Sequence, residues 1–545
     1  MAQLTIGLDY GTNSVRALLV NAQTGEELTS SVFDYPSGEA GVLLNDDLNL
    51  ARQNPADYVE GLFATIREVL RGRDPTEVVG IGVDTTGSSP MPIDQEGEPL
   101  AMQERFKDNL AAQCWLWKDH TSYSEAAEIT EKAREMNLPY LAKCGGTYSS
   151  EWFWSKILHC ARVAPEVFEA AYSWAECCDW IPGYLTGNTA PHKMIRSVCA
   201  AGHKAMYSSE WGGLPSKEFL SALSPSLADL RDRLYERAEA SDQCAGGLSR
   251  EVAETTGLTE GIPVAVGAFD AHFGAVASGV KPGVFVKIMG TSTCDCMVHP
   301  IGEGLADIPG LCGIVNGSIL PGYYGLEAGQ SAVGDIFNWF VGFSGQTHEE
   351  LDRAAGGLFP GQSGLLALDW NNGNRTVLVD PLLTGVLLGQ TLHTTPAEVY
   401  RALIEATAFG ARKIIRRVEE FGVKVDAVVA CGGIAEKSEL VMQIYADVFN
   451  RPVKISRSKQ TCALGAALFA AVVGGVYQDA ESAQLAMTGT KAKAYEPSPD
   501  AAKIYNRLYS LYDQLHDAFG VPGASGELAN VMKELISIRE EVRRS

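Results

Sequence analysis

Gln3-Leu-Thr-Ile-Gly-Leu-Asp9-Tyr-Gly11-Thr12-Asn13-Ser14-Val-Arg16-Ala-Leu-Leu-Val20 opens the chain, and its pattern decides the fold. Two apolar runs, Leu4–Leu8 and Val15–Val20, flank a short polar turn, which is the signature of a β-hairpin. Gly11 and two hydroxyl-bearing residues give the turn donors that can close around an anion. Asp9 ends the first run, where a carboxylate can hold a hydrated magnesium ion. From these residues alone, a surface hairpin whose Asp and Asn serve turn chemistry is equally open.

The rest of the chain narrows the choice. A length of 545 residues predicts two large domains. A hydrophobic content of 46% with 20% charged residues describes an ordinary globular core. The formal net charge of -23 argues against nucleic acid and against a polybasic membrane contact. No apolar run reaches membrane-spanning length, and no basic stretch followed by an apolar one marks a signal peptide. The twelve cysteines form no CxxC pair. Cys160, Cys199, Cys431 and Cys462 lie in apolar or small-residue surroundings, as reduced thiols of a cytoplasmic protein do.

Strands and helices alternate, which predicts an α/β architecture. Val78–Val83 reads as a buried strand ending at Asp84, Val284–Met289 and Cys294–Val298 as strands, and Ala427–Ala430 as a strand ending at Gly432-Gly433. Pro396–Val418 reads as a long helix, and Ala501–Phe519 and Glu527–Arg544 as amphipathic helices. Met289-Gly290-Thr291-Ser292-Thr293 echoes the opening hairpin in form: strand, Gly-Thr turn, strand. Thr256-Gly-Leu-Thr-Glu-Gly-Ile-Pro263 is turn-rich and predicts a boundary near residue 260, giving domains 1–260 and 261–545. Two related domains with one anion-binding hairpin each would grip a polyphosphate between them.

No G-x-x-x-x-G-K-[ST] loop, dinucleotide fingerprint, HExxH or G-x-S-x-G is present. Gly267-Ala-Phe-Asp270-Ala-His272-Phe-Gly274 follows a strand and opens a helix. Asp270 reads as a helix N-cap or as a general base aimed at a hydroxyl, and His272 as a structural histidine. Gly432 and Gly433 would let a flat heterocycle lie against the backbone. Trp115-Leu-Trp117-Lys118-Asp119-His120-Thr121 groups an indole, a cation, a carboxylate and an imidazole, a set suited to a polyhydroxylated ligand. Asp84-Thr-Thr-Gly87-Ser88-Ser89 would line the same cleft. Lys204 and Glu327 are weaker signals, and Lys204 alone reads as a solvated lysine.

Taken in order, these segments resemble the FGGY carbohydrate kinases of the actin/hexokinase/Hsp70-like superfamily. The resemblance covers about residues 4 to 475. Gly432-Gly433, Ser438, Gln443 and Ala446-Asp447 look like the C-terminal signature of that family. Trp117-Lys118-Asp119-His120-Thr121, Cys178-Asp179-Trp180 and Gly325-Leu-Glu327 look like its L-ribulose-specific branch. One departure is clear: the N-terminal signature expects a lysine soon after a Tyr-x-Ser run, and here Phe153 stands there with the lysine at Lys156. The resemblance implies two ribonuclease-H-like α/β domains around a central cleft. It implies transfer of the γ-phosphoryl of ATP, with Mg2+, to a ketopentose hydroxyl, L-ribulose first and D-ribulose, xylulose or another polyol as alternatives. A non-catalytic ATP switch is the alternative of another class. Asp270 would be the base and would help place the metal through water, and Asp9 would hold the metal's water shell. Thr12, Asn13 and Arg16 would meet the β/γ-phosphates with Gly290, Thr291 and Ser292 opposite, and Gly432 and Gly433 would border the adenosine. Gly87, Trp117, Asp119, Lys204 and Glu327 would touch the sugar. Sugar and ATP would be the partners, without nucleic acid or membrane, and a homodimer is the assembly the resemblance allows.

Overall fold

Residues 3–524 are described by a computed structural model. The helix expected over Glu527–Arg544 lies outside them. The opening hairpin forms as read: β1 (Leu4–Tyr10) and β2 (Ser14–Asn21) pair antiparallel, and β3 (Glu26–Asp34) pairs with β2. Strands β4 (Val78–Thr85), β5 (Cys244–Gly247), β6 (Pro263–Ala265) and β7 (Ala268–Phe269) complete a seven-stranded sheet of order β5-β6-β4-β1-β2-β3, with β7 also on β4. β1 is apolar on both faces because it lies centrally, between antiparallel β2 and parallel β4.

The second sheet repeats that core. It contains β8 (Gly283–Met289), β9 (Thr293–Pro300), β10 (Gly313–Asn316), β11 (Tyr323–Ala328), β12 (Val425–Cys431), β13 (Val453–Ser456) and β14 (Thr490–Tyr495). Their order is β10-β11-β9-β8-β12-β13-β14. In both sheets a hairpin with a three-residue loop has a parallel partner on its first strand and an antiparallel one on its second. The echo seen in the sequence is therefore a repeat of topology. Strands β6 and β7, beyond the boundary expected near residue 260, still belong to the first sheet.

The helices that matter to the site are α1 (Phe153–Val163), α2 (Val198–Lys204), α3 (Asp270–Ala277), α4 (Gly334–Ser344), α5 (Pro396–Glu420), α6 (Thr461–Val473) and α7 (Pro499–Gly520). α5 opens with a capping box, in which Thr395 accepts from the Glu398 amide while the Glu398 carboxylate accepts from Thr395. α6 comes late in sequence yet packs on the first sheet. A Cβ on Gly7 would sit 1.9 Å from the Ala463 carbonyl oxygen, and one on Gly82 1.9 Å from that of Ala466. Glycine at both positions lets the helix backbone lie directly on β1 and β4. Gly465, on the opposite side, meets the Phe273 carbonyl of α3, where an added Cβ would stand 2.2 Å away. α3 and α6 thus cross at the junction of the two sheets, and Phe273, Val286, Val429 and Leu468 share the apolar cluster around them. No described helix is long and apolar enough to cross a membrane.

Candidate active site

Strand register assembles an acidic cluster at one rim of the first sheet. Asp9 of β1 is paired with Asp84 of parallel β4, and Ala268 of β7 is also paired with Asp84. Asp270 follows β7 directly as the first residue of α3. Three carboxylates therefore meet at the carboxyl ends of strands, where open α/β sheets bind ligands. The N-cap position belongs to Phe269, which corrects the expectation for Asp270; its carboxylate instead accepts from the Ala271 amide at 2.6 Å. Burial, then the charge of Asp9, pushes the Asp270 carboxyl up to about 7, with the Ala271 amide opposing. Burial likewise raises Asp9, although Arg16, 3.8 Å away, and Asp84 pull it back. Asp84 is raised furthest, by burial and by both other aspartates. Both Asp84 oxygens are fully buried without a hydrogen-bond partner. A cluster of hard oxygen donors containing an orphaned carboxylate fits a divalent cation such as Mg2+.

The first hairpin loop is tied from below. Gln53 donates to the carbonyls of Thr12 at 2.8 Å and Gly11 at 3.2 Å, and Tyr58 donates to the Gln53 carbonyl oxygen. The Thr12 hydroxyl accepts from the Trp117 indole at 3.1 Å, which joins the phosphate-type loop to the aromatic segment. Asn13 is exposed, and its amide donates to the Ala40 carbonyl at 2.5 Å. It therefore clips a neighbouring loop with one of its two amide hydrogens and leaves the other directed away from that bond. In the second loop Gly290 and Thr291 are exposed and Ser292 half-buried. Amides at the start of α4 donate to that loop's carbonyls: Val333 to Thr291 at 2.8 Å and Gly334 to Gly290 at 3.2 Å. Beneath the loop, Lys287 is buried against Asp295 at 3.0 Å and donates to Gln330 at 2.8 Å. Gly432 takes φ +94°, and a Cβ there would stand 2.5 Å from the Met289 carbonyl oxygen, whereas one on Gly433 would meet open space. Gly433 therefore leaves open space beside the second hairpin, while Gly432 packs against its first strand.

On the other side of the cleft, Lys204 and Glu327 form a bridge of 2.7 Å between α2 and β11, hence between the two halves of the chain. Lys204 is buried, not solvated, with the Trp152 and Phe269 rings 5.4 and 5.6 Å from its ammonium. Burial alone would raise the Glu327 carboxyl; Lys204, His272 and His203 outweigh it and hold it well below the usual range. His272 is buried between Glu327 at 3.1 Å and the Cys199 thiol at 2.8 Å. Gly87 lies against the Phe269 ring, where a Cβ would stand 1.9 Å from a ring carbon. Asp119 corrects the expectation of sugar contact. It is wholly buried in an ion pair with Arg52, and it accepts from the Ala51 amide at 2.7 Å and from the Thr121 hydroxyl at 2.6 Å. Arg52 in turn stacks on Trp115 at 3.5 Å. With every strong acceptor position engaged, Asp119 shapes the Trp117 segment from behind.

Residues that sequence reading passed over hold this side together. The Lys156 ammonium on α1 donates to the carbonyls of Ser88 and Leu116, each at 2.8 Å, and of Trp115 at 3.3 Å. Glu176 accepts from the Ser89 amide at 2.6 Å and from the Ser88 hydroxyl. Burial lowers the Lys156 ammonium and raises the Glu176 carboxyl, each held back by the other's charge. Arg375, from the second half, reaches Glu151 of the first at 3.3 Å. The displaced lysine of the sequence signature was the one available pointer to Lys156.

Two α/β sheets of repeated topology, with an acidic cluster at the rim of the first, define the fold. Solved structures share that fold. The xylulose kinase of Rhodospirillum rubrum superposes with a TM-score of 0.80 at 23% identity, over 95% of this chain and 99% of that one. The Plasmodium falciparum glycerol kinase with ADP gives 0.77 at 15% identity, over 94% and 98%. Residues 4–277 match the N-terminal domain and residues 285–473 the C-terminal domain of the FGGY family of carbohydrate kinases. The chain belongs to that family and is a carbohydrate kinase. It is 43% identical to the ribulokinase of Vibrio parahaemolyticus, across 94% of this chain and 95% of that protein. It is 40% identical to the ribulokinase of Mycolicibacterium smegmatis, across 98% of each.

Proposed function

We propose that this kinase transfers the γ-phosphoryl group of MgATP to the terminal hydroxyl of L-ribulose. The observation that carries the sugar assignment is identity of 40–43% along nearly the whole chain to proteins named ribulokinase. The Trp117–Thr121 segment and the Lys204–Glu327 bridge support it, because they offer an indole face and paired charges to a polyol.

In this reading the sugar hydroxyl lies against Asp270. Its oxygen bonds to the γ-phosphorus as the bond from that phosphorus to the β–γ bridging oxygen breaks, ADP leaves, and the hydroxyl proton passes to the Asp270 carboxylate. Asp9, Asp84 and Asp270 would hold magnesium, directly or through water, and the bound ion would neutralise charge on the phosphates. Thr12 and Arg16 would meet the phosphates from one side and Gly290, Thr291 and Ser292 from the other. Gly432 and Gly433 would border the adenosine. Gly87, Trp117, Lys204 and Glu327 would contact the sugar. We place the domain division between 277 and 283, after α3, and the protein in the cytoplasm, a location its twelve free thiols support.

A panel of sugars with coupled detection of ADP tests the assignment. L-Ribulose should give the highest kcat/KM. Preference for D-xylulose or glycerol would overturn the sugar, and ATP hydrolysis indifferent to every sugar would revive the switch-protein reading.

A further inference from the structure

The acidic cluster contains one group that magnesium chemistry does not use. Cys462 sits in the first turn of α6, and its thiol sulfur lies within 4.8 Å of carboxylate oxygens of both Asp9 and Asp84. Room for the sulfur exists because α3 carries glycine at position 274, where even a Cβ would stand only 3.3 Å from it. Gly274 is one helical turn beyond Asp270, so the thiol occupies the same face of α3 as the proposed base. Asp84 brings a carboxylate oxygen to within 4.8 Å of the thiol, and no N–H or hydroxyl donor reaches either of its buried oxygens. Two carboxylates and a thiol form a mixed oxygen and sulfur donor set. Magnesium takes oxygen ligands and gains nothing from sulfur. Zinc and cadmium bind thiolate strongly; burial and the charges of Asp9, Asp84 and Asp270 push the Cys462 thiol well up, so an arriving cation has to displace its proton.

We propose that Asp9, Asp84 and Cys462 form a binding site for borderline-soft divalent cations, Zn2+ and Cd2+, which excludes the catalytic magnesium and inhibits the kinase. Binding forms a metal–sulfur bond and breaks the S–H bond, with the proton released to solvent; no oxidation is involved. Magnesium at this rim is part of the function proposed above, so the metal-binding half of the test is run without ATP or sugar.

The untagged full chain is titrated with Cd2+ and with Co2+, and the ultraviolet absorption of metal–thiolate charge transfer is followed. The expected result is one saturable signal that Cys462→Ser and Cys462→Ala both abolish. Cys294 and Cys296, with sulfurs 3.9 Å apart, are the rival thiol pair. A signal that survives both Cys462 variants and is lost in Cys296→Ser overturns the proposal, as does the absence of any signal. In the kinase assay at fixed Mg2+, the Zn2+ concentration for half-inhibition should rise about tenfold or more in the Cys462 variants, the scale on which metal sites respond to altered coordination. Their activity with Mg2+ alone should stay unchanged. Equal zinc sensitivity in the unaltered chain and both variants refutes the inhibitory site whichever sugar proves to be the substrate.

Discussion

Asp270 shows how one side chain can be costly to the fold and necessary to the reaction. Its carboxyl is raised to about 7 from an ordinary 3.8, by burial first and by Asp9 next. A group raised in this way binds its proton more tightly in the folded chain than in the unfolded one. Its contribution to stability is present at low pH and is lost as pH rises from about 4 through about 7. Asp270→Asn, neutral at every pH, should therefore melt above the unaltered chain at pH 8 and close to it at pH 5, as scanning calorimetry reads directly. The same substitution should lower kcat by about 10²–10⁴-fold while leaving sugar affinity nearly intact, the scale of a lost general base. For the unaltered enzyme, kcat/KM should fall about tenfold per unit on the acid side of the Asp270 ionisation. Bound magnesium would move that limb to lower pH, since a nearby cation favours the carboxylate. A pH profile with no acid limb, or an Asn variant near full turnover, would remove Asp270 from the role of base.

At the scale of elements, the sugar side depends on a helix that touches no proposed ligand. α1 sends the Lys156 ammonium into the carbonyls of Ser88, Trp115 and Leu116, the backbone that leads into Gly87 on one side and Trp117 on the other. One buried cation therefore sets the spacing of two loops. Lys156→Met should raise the KM for sugar roughly tenfold to a hundredfold with little change in the KM for ATP, because small misplacements of binding groups cost rate on that scale. Steady-state kinetics with each substrate varied separately distinguishes this from general unfolding, which would lower active enzyme without splitting the two KM values. The elements themselves were legible in advance. Periodicity and capping located α5 to within two residues, Pro396–Glu420 against an expected Pro396–Val418. The partners of Lys156 were not legible, since Ser88, Trp115 and Lys156 are distant in sequence and become neighbours only when α1 docks.

For the whole molecule, the decisive contact is the crossing of α3 and α6. α3 carries Asp270, α6 carries Cys462 and covers the first sheet, and the two meet backbone to backbone at Gly465. A methyl group at position 465 would press on the Phe273 carbonyl at 2.2 Å, with backbone rather than a flexible side chain in its way. Gly465→Ala should destabilise the protein by about 1–3 kcal/mol, the range for overpacking. It should also lower kcat, because relief of the clash displaces the helix that holds the base. Chemical denaturation and turnover measured on one preparation check both. Unchanged stability would mean that the two helices separate without cost.

The sequence by itself determined the repeated hairpins, the alternation of strands and helices, and the position of Asp270 at a strand-to-helix junction. These are local properties, written in runs of apolar residues and in glycine-bearing turns. Tertiary structure decided which polar groups remain free to act. Asp119 looked like a ligand contact in the sequence, and packing commits it to Arg52. Lys204 looked solvated and is buried on Glu327, from the other half of the chain. Asp84 looked like a strand end and became the unpartnered carboxylate at the centre of the acidic cluster. The reason is physical: burial and pairing depend on neighbours brought from distant positions, and desolvation gives a buried charge a different chemistry from the same residue in water.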